Sequence, residues 1–407
     1  LGLSLVLALW GCGPQNTVSP KPETVKIGAI YPLSGPTAAT GADLKAGLDL
    51  ALEIINQSVD LPLPLADAKG LPDLAARPVE IVLRDSEGLP EKAVNLVDEL
   101  VTKAGVAAIM GCYQSGVTAA ASEQSEILQV PFLNAESTAP LLGQRGLKWF
   151  FRTTPDDAVF AENFFTFLSQ LPERQGVEGS KRLVLVYENH LWGTGVARAQ
   201  RKLAQRYGYE VVADIPYLAT DPAFDEEVGQ IQKAMPAVVM QSSYEHDAIH
   251  FVKGYITQAI QPTAILAMDA GFIGPAFIDQ MGRAAEGILS REVWALDIGR
   301  HKPLVTRVNA MFRQRFARDM TGNSARAFTG LMVLAEAINR AKSTEPERVR
   351  NALLATAVPT DQLIMPWDGV RFSAETGENM AGRGIIVQMR SGAYHTVWPW
   401  DMAAKAV

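Results

Sequence analysis

Two short segments place hydroxyls, amides and acids where they could hold a small charged molecule. The first, Gly111-Cys112-Tyr113-Gln114-Ser115-Gly116-Val117-Thr118, lies between an apolar run at 107–110 and an amphipathic stretch at 117–128. Backbone N–H groups at the start of that helix, with the Ser115 hydroxyl, suit a carboxylate. The competing reading is that Ser115 or Thr118 only caps the helix. The second segment, Glu136-Ser137-Thr138-Ala139-Pro140, follows an apolar run at 131–134. Its hydroxyls and amides either face the same cleft or merely turn the chain.

Other chemistry is thinly represented. There is no G-x-S-x-G elbow and no P-loop lysine motif. Gly193-Thr194-Gly195 begins a glycine pattern, but Arg198 stands where a third glycine would complete it. His246 and His250 share a helical spacing without HExxH or a neighbouring cysteine, which reads as surface histidines rather than metal ligands. Cys112 reads as a small buried residue rather than a reactive thiol. No cofactor and no enzymatic activity are expected.

The elements that must position the two segments alternate in kind. Apolar runs at 25–30, 79–83, 107–110 and 131–134 read as strands, separated by helical faces such as Leu44, Leu48, Ala51, Leu52 and Ile55. The rhythm resumes with strands at 183–187, 210–215, 237–241 and 264–267 and helices between them. Strand alternating with helix predicts an α/β fold with parallel sheets covered on both faces. In such sheets ligands bind beyond the carboxyl ends of the strands, where both polar segments lie. The alternation breaks near 153–156 and again near 289–294, and a hairpin at 384–397 ends the chain. The proline-rich stretch 61–77 reads as a loop insertion.

Composition bounds the function. Lys and Arg number 37 against 44 Asp and Glu, a net charge of −7, and no basic block is present. Nucleic acid is therefore excluded as a partner, since its affinity rests on cations meeting phosphates. The opening LGLSLVLALWGC is too short to span a bilayer and suits the apolar part of a signal peptide. Leu9-Trp10-Gly11-Cys12 resembles a bacterial lipobox, in which the cysteine is lipidated; an ordinary secretory cleavage site beside a cysteine is the alternative. Residues 13–23 then read as a tether. Exported, anchored to the membrane only by lipid at Cys12, is the localisation this predicts.

Taken in order, several motifs resemble the leucine/isoleucine/valine-binding family of ABC-transporter solute receptors, which have the type I periplasmic-binding fold. They are Ile27-Gly28-Ala29-Ile30-Tyr31-Pro32-Leu33-Ser34-Gly35-Pro36, Arg84-Asp85-Ser86-Glu87, residues 111–122, Ser137-Thr138-Ala139-Pro140, Phe151-Arg152-Thr153-Thr154, Trp192-Gly193-Thr194-Gly195 and Ala285-Glu286-Gly287. The resemblance implies two lobes joined by three crossings. Residues 1–11 would be the signal remnant and 12–24 the tether. Lobe 1 would comprise 25–153 and 292–378, and lobe 2 would comprise 154–291 and 379–407.

The resemblance also implies roles. An amino-acid ligand would set its carboxylate on Ser115 and Thr138, and its ammonium on Asp269. Trp192 and Tyr244 would be cleft aromatics, and Gln114, Glu136 and Ser137 further ligand-binding positions. Each has a plainer alternative: interlobe packing for the aromatics, a cap for Asp269. Glu87 and Gln114 stand where the family's first-lobe disulfide would be, and Thr40 replaces an aromatic of the branched-chain pocket. The pocket is thus more polar than leucine requires. An ABC permease is the implied partner; a sensory receptor for a small amide, urea or aromatic acid is the second reading.

Overall fold

Strands here are nearly continuous apolar runs, as sheets buried on both faces require. The computed structural model describes residues 23–175, 179–221 and 223–404; Cys12 and most of the tether lie outside the described residues. In chain order the elements are β1 (Val25–Tyr31), α1 (Ala38–Asn56), β2 (Val79–Asp85), α2 (Pro90–Glu99), β3 (Ala108–Gly111), α3 (Ser115–Ile127), β4 (Phe132–Asn134), β5 (Phe150–Arg152), α4 (Asp157–Gln175), β6 (Arg182–Glu188), α5 (Leu191–Tyr207), β7 (Glu210–Tyr217), α6 (Asp225–Ala234), β8 (Val238–Ser242), α7 (Glu245–Thr257), β9 (Ala264–Ala267), α8 (Pro275–Met281), β10 (Leu289–Glu292), α9 (Pro303–Phe316), α10 (Gly322–Ala341), α11 (Pro346–Leu354), β11 (Val358–Pro359), β12 (Gly369–Val370), β13 (Ile385–Arg390) and β14 (Ala393–Trp398).

Two sheets result. The first has the order β2-β1-β3-β4-β5 and is wholly parallel. The second has the order β14-β13-β10-β9-β8-β6-β7, parallel except that β13 runs antiparallel to both its neighbours, β10 and β14. The fold is therefore α/β with mainly parallel sheets, as the alternation predicted, in the two lobes that the family resemblance implied. Each sheet reverses its winding next to its first strand, and the ends of β3, β4, β6, β8 and β9 all bear on the cleft.

The chain passes between the sheets three times. After β5 it leaves the first sheet for α4 and the second; after β10 it returns, and α10 packs against α1. Before β13 it crosses again. Arg152, fully buried at the first passage, donates from Nε to Glu378 at 2.8 Å and from Nη1 to the Ala139 carbonyl at 2.9 Å. The Asn379 N–H meets the Arg152 carbonyl at 2.9 Å, so two of the three passages are tied side by side.

Some local features were not legible. Helices α8 and α11 and the β11–β12 pair fall in stretches with weak periodicity. The segment 61–77 contains no α-helix, only a 3₁₀ turn at Pro72–Leu74. Helix α3 begins at Ser115, two residues before the apolar periodicity starts, because Ser115 and Gly116 complete its first turn.

Candidate functional site

On the first sheet's side, the loop after β4 is folded by Asn134. Its Oδ1 accepts from the N–H of Glu136 at 3.1 Å and of Ser137 at 2.8 Å, while its amide donates to the Ser137 carbonyl at 2.7 Å. This side-chain turn presents Glu136 and Thr138 to a narrow cavity between the sheets, lined also by Tyr113, Ser115, Ser137, Trp192, Tyr244, Asp269, Arg291 and Arg326. Ser115, at the first position of α3, accepts from the Ala139 N–H at 3.3 Å. That bond ties the two polar segments to one another.

The second sheet supplies the opposite wall. Gly193 lets α5 start against the end of β6, because a Cβ there would stand 2.2 Å from the Glu188 carbonyl oxygen. The Glu188 carboxylate accepts from the Gly193 N–H at 2.8 Å, which holds Trp192 in place. Trp192 and Tyr244 lie with ring centroids 4.9 Å apart, and Tyr113 reaches across from the first sheet to 5.8 Å from Tyr244. The Trp192–Tyr244 pair separates the polar cavity from a wider mouth lined by Gln114, Glu188, His190 and Asp247.

Asp269 sits in a backbone conformation, φ 58° and ψ −118°, that residues with a Cβ seldom adopt. The cause is next door: a Cβ on Gly271 would lie 2.3 Å from the Tyr244 carbonyl carbon, so the turn is pressed against the start of α7. Strain of this kind is held by its surroundings and collects at functional sites.

Two arginines converge on that acid. Arg291 donates from Nη1 to Asp269 Oδ2 at 2.5 Å and from Nη2 to Asp157 at 3.1 Å and to the Thr138 hydroxyl at 3.2 Å. Its guanidinium also lies 4.1 Å over the Phe160 ring. Arg326, from α10, pairs with the same Asp269 oxygen and donates to the Glu136 carbonyl at 3.2 Å. The second oxygen of Asp269 is buried with no partner in the protein, as are Glu136 Oε2 and the Nε of both arginines. Buried polar groups are ordinarily satisfied, and these unmet donors and acceptors are gathered around one acid and two arginines.

Burial also shifts the carboxyls. It pushes Glu136 up to about 7, against the pull of the Tyr31 hydroxyl at 2.8 Å and the Arg326 charge. It pushes Asp157 up to about 6, against Arg291, and Glu292 up to about 8, with the Asp269 charge adding to the effect.

The structure thus brings Ser115, Glu136, Ser137, Thr138, Trp192, Tyr244 and Asp269 to one cavity. Within it, the Ser137 hydroxyl is engaged by Thr118 Oγ1 at 2.6 Å and the Tyr113 carbonyl at 2.9 Å, so it braces the loop. Gln114 is placed in the wider mouth and donates to Thr37 at 2.9 Å. Cys112 is free and buried, and burial raises its thiol far above the ordinary range. Among the described residues no three His, Cys, Asp or Glu side chains are grouped to hold a metal. Arg291, Arg326, Asp157 and Tyr113 were not foreseen. Arg326 carried a signal: it interrupts the small and apolar stretch Ser324-Ala325-Arg326-Ala327-Phe328 in a helix buried on every side.

Residues 24–393 match the model of the family described as periplasmic binding protein. The Leu/Ile/Val-binding protein homolog 8 of Brucella abortus is 25% identical over 385 residues, covering 93% of this chain and 91% of its own. Two solved structures share the fold. The branched-chain amino acid transporter substrate binding protein LivJ from Streptococcus pneumoniae, in complex with isoleucine, superposes with a TM-score of 0.75 at 21% identity, over 91% of this chain and 98% of that one. A solute binding protein of an ABC transporter from R. palustris, in complex with benzoate, gives 0.76 at 17% identity, over 92% and 96%. Among the described residues no helix is long and apolar enough to cross a membrane. With two parallel sheets, three passages between them and a polar cavity at the strand ends, the chain belongs to the periplasmic binding protein family, among the leucine/isoleucine/valine-binding proteins of type I fold.

Proposed function

We propose that the protein is the extracytoplasmic receptor of an ABC importer, that it captures an amino acid in the cleft, and that it delivers it to a permease. Lobe 1 (25–153 with 292–378) and lobe 2 (154–291 with 379–407) close on the ligand, and lipid at Cys12 anchors the receptor. The observation that carries the reading is the partnerless, buried Oδ1 of Asp269 in the same cavity as the hydroxyls of Ser115 and Thr138. A zwitterion leaving water needs both charges met, because an unpaired buried charge is costly. Asp269 Oδ1 receives the ammonium, and Ser115, Thr138 and the first N–H groups of α3 receive the carboxylate. Trp192 and Tyr244 cover the ligand and add a cation–π contribution of about 0.5–2 kcal/mol.

One observation favours a second reading. Arg291 and Arg326 both spend donors on Asp269, so its charge is already countered. A cleft with two arginines also suits a ligand with a carboxylate and no ammonium, the class to which the benzoate of the R. palustris protein belongs. Thermal unfolding of refolded, ligand-stripped protein against the twenty amino acids, urea, aliphatic amides and aromatic carboxylates separates the two. A ligand that binds only the folded state raises the midpoint. Shifts with amino acids support the first reading, and shifts with aromatic acids alone replace it with the second.

A further inference from the structure

In the cavity that holds Asp269, one acid and one guanidinium of lobe 1 are left incomplete. Glu136 is 2% exposed; its Oε1 accepts from the Tyr31 hydroxyl at 2.8 Å, and its Oε2 has no partner. Arg326 is 2% exposed; its two terminal nitrogens go to the Glu136 carbonyl and to Asp269, and its Nε has none. Both side chains line the cavity that holds Ser115, Thr138 and Asp269. Arg326 bonds both Asp269 and the Glu136 carbonyl, so Glu136 and the ammonium acceptor flank one guanidinium. Building on the amino-acid reading above, we propose that Glu136 and Arg326 select the ligand's side chain, and that this side chain is neutral and hydrogen-bonding, of the carboxamide class.

The chemistry follows from the unmet groups. An aliphatic side chain would bury Glu136 Oε2 and Arg326 Nε without partners, a penalty for each. A carboxamide offers an N–H₂ to the oxygen and a carbonyl to the Nε–H, answering both. A cationic side chain would suit Glu136 but would lie against Arg326 and Arg291, and an acidic one would suit the arginines but press on Glu136 and Asp269. Discrimination by a site built to hydrogen-bond its ligand is steep, because the wrong ligand leaves the polar groups unpaired. Thr40, buried on the same lobe beside Tyr113, is consistent with a cavity that does not rely on apolar packing.

The test is calorimetric titration of ligand-stripped protein with glutamine, asparagine, leucine, lysine, glutamate and benzoate. Wild-type protein should bind glutamine or asparagine at least about tenfold more tightly than leucine. Glu136→Met, of similar length and without the acceptor, should narrow that ratio by about tenfold or more, with its melting curve checking that it folds. Leucine binding as tightly as the amides overturns the side-chain assignment while the amino-acid reading stands. Preference for lysine or glutamate overturns it in the same way. Binding of benzoate with no amino acid overturns both. The wild-type comparison decides even if the variant does not fold.

Discussion

Asp269 and Arg326 meet across the cleft: the acid follows β9 of the second sheet, the arginine stands on α10, packed against the first, and the pair is almost wholly buried. One carboxylate oxygen takes both Arg326 and Arg291, leaving the other without a partner in the protein. If Asp269 receives the ligand as proposed, this ion pair couples capture to lobe position, since anything that draws on Asp269 also bears on a contact between the two sheets.

Replacing Asp269 by Asn, which tolerates a positive φ better than most residues, should weaken an amino acid by about 10- to 150-fold, as loss of a charge-assisted hydrogen bond of about 1.5–3 kcal/mol implies. Ligands without an ammonium should lose far less. The same variant takes from buried Arg326 its ion-pair partner, while Arg291 keeps Asp157, so unfolding free energy should drop by about 3–5 kcal/mol. Titration calorimetry and denaturant unfolding measure the two effects, and equal losses for both ligand types would remove the ammonium role.

Ser115→Ala should cost about 1–3 kcal/mol of binding if its hydroxyl meets a buried carboxylate. Unchanged affinity with lowered stability would leave Ser115 only its bond to the Ala139 N–H.

Trp192 lies tilted against Tyr244 at the edge of the cavity. Ligand binding should change tryptophan emission, and Trp192→Phe should remove most of that change, although six other tryptophans remain of the seven. Trp192→Ala should weaken binding by about 2- to 30-fold, the cation–π range. A full emission change in the Phe variant would place the ligand elsewhere.

Stability should fall as pH rises. Glu136 and Glu292 ionise at about 7 and about 8 in the folded protein, chiefly through burial, against an ordinary value of 4.5. Between those values the folded form holds more protons than the unfolded form, so each unit of pH favours unfolding there, and the effect ends once both forms are ionised. The melting midpoint of ligand-free protein should decline from about pH 5 to about pH 8, and Glu292→Gln should flatten the upper part of the decline. A midpoint that climbs over that range would contradict these shifts.

The strands were legible because parallel sheets demand unbroken apolar runs, as at Ile27–Tyr31 and Leu183–Tyr187. Strand ends were legible with them, and so the segments of Ser115 and Thr138 could be placed near one cleft, whereas Asp269 came only from the family resemblance. Arg291 and Arg326 were not legible, because a charge inside an apolar strand or helix gives no sign of its partner. Their partner, Asp269, is 22 residues away in one case and 57 in the other. Glu136 was visible as a polar neighbour of Thr138, but its bond to Tyr31 spans 105 residues and exists only once β1 and β4 lie in one sheet. Pairings across the cleft belong to tertiary structure, and sequence periodicity does not record them.

The most direct test of the central claim is a paired calorimetric titration of ligand-stripped protein. The amino acid with the largest thermal shift is compared with the same molecule lacking its ammonium. The deaminated acid should bind at least about tenfold more weakly, because Asp269 Oδ1 is then buried without a partner. Equal or tighter binding of the deaminated acid would contradict that claim and assign the cleft to carboxylates gripped by Arg291 and Arg326.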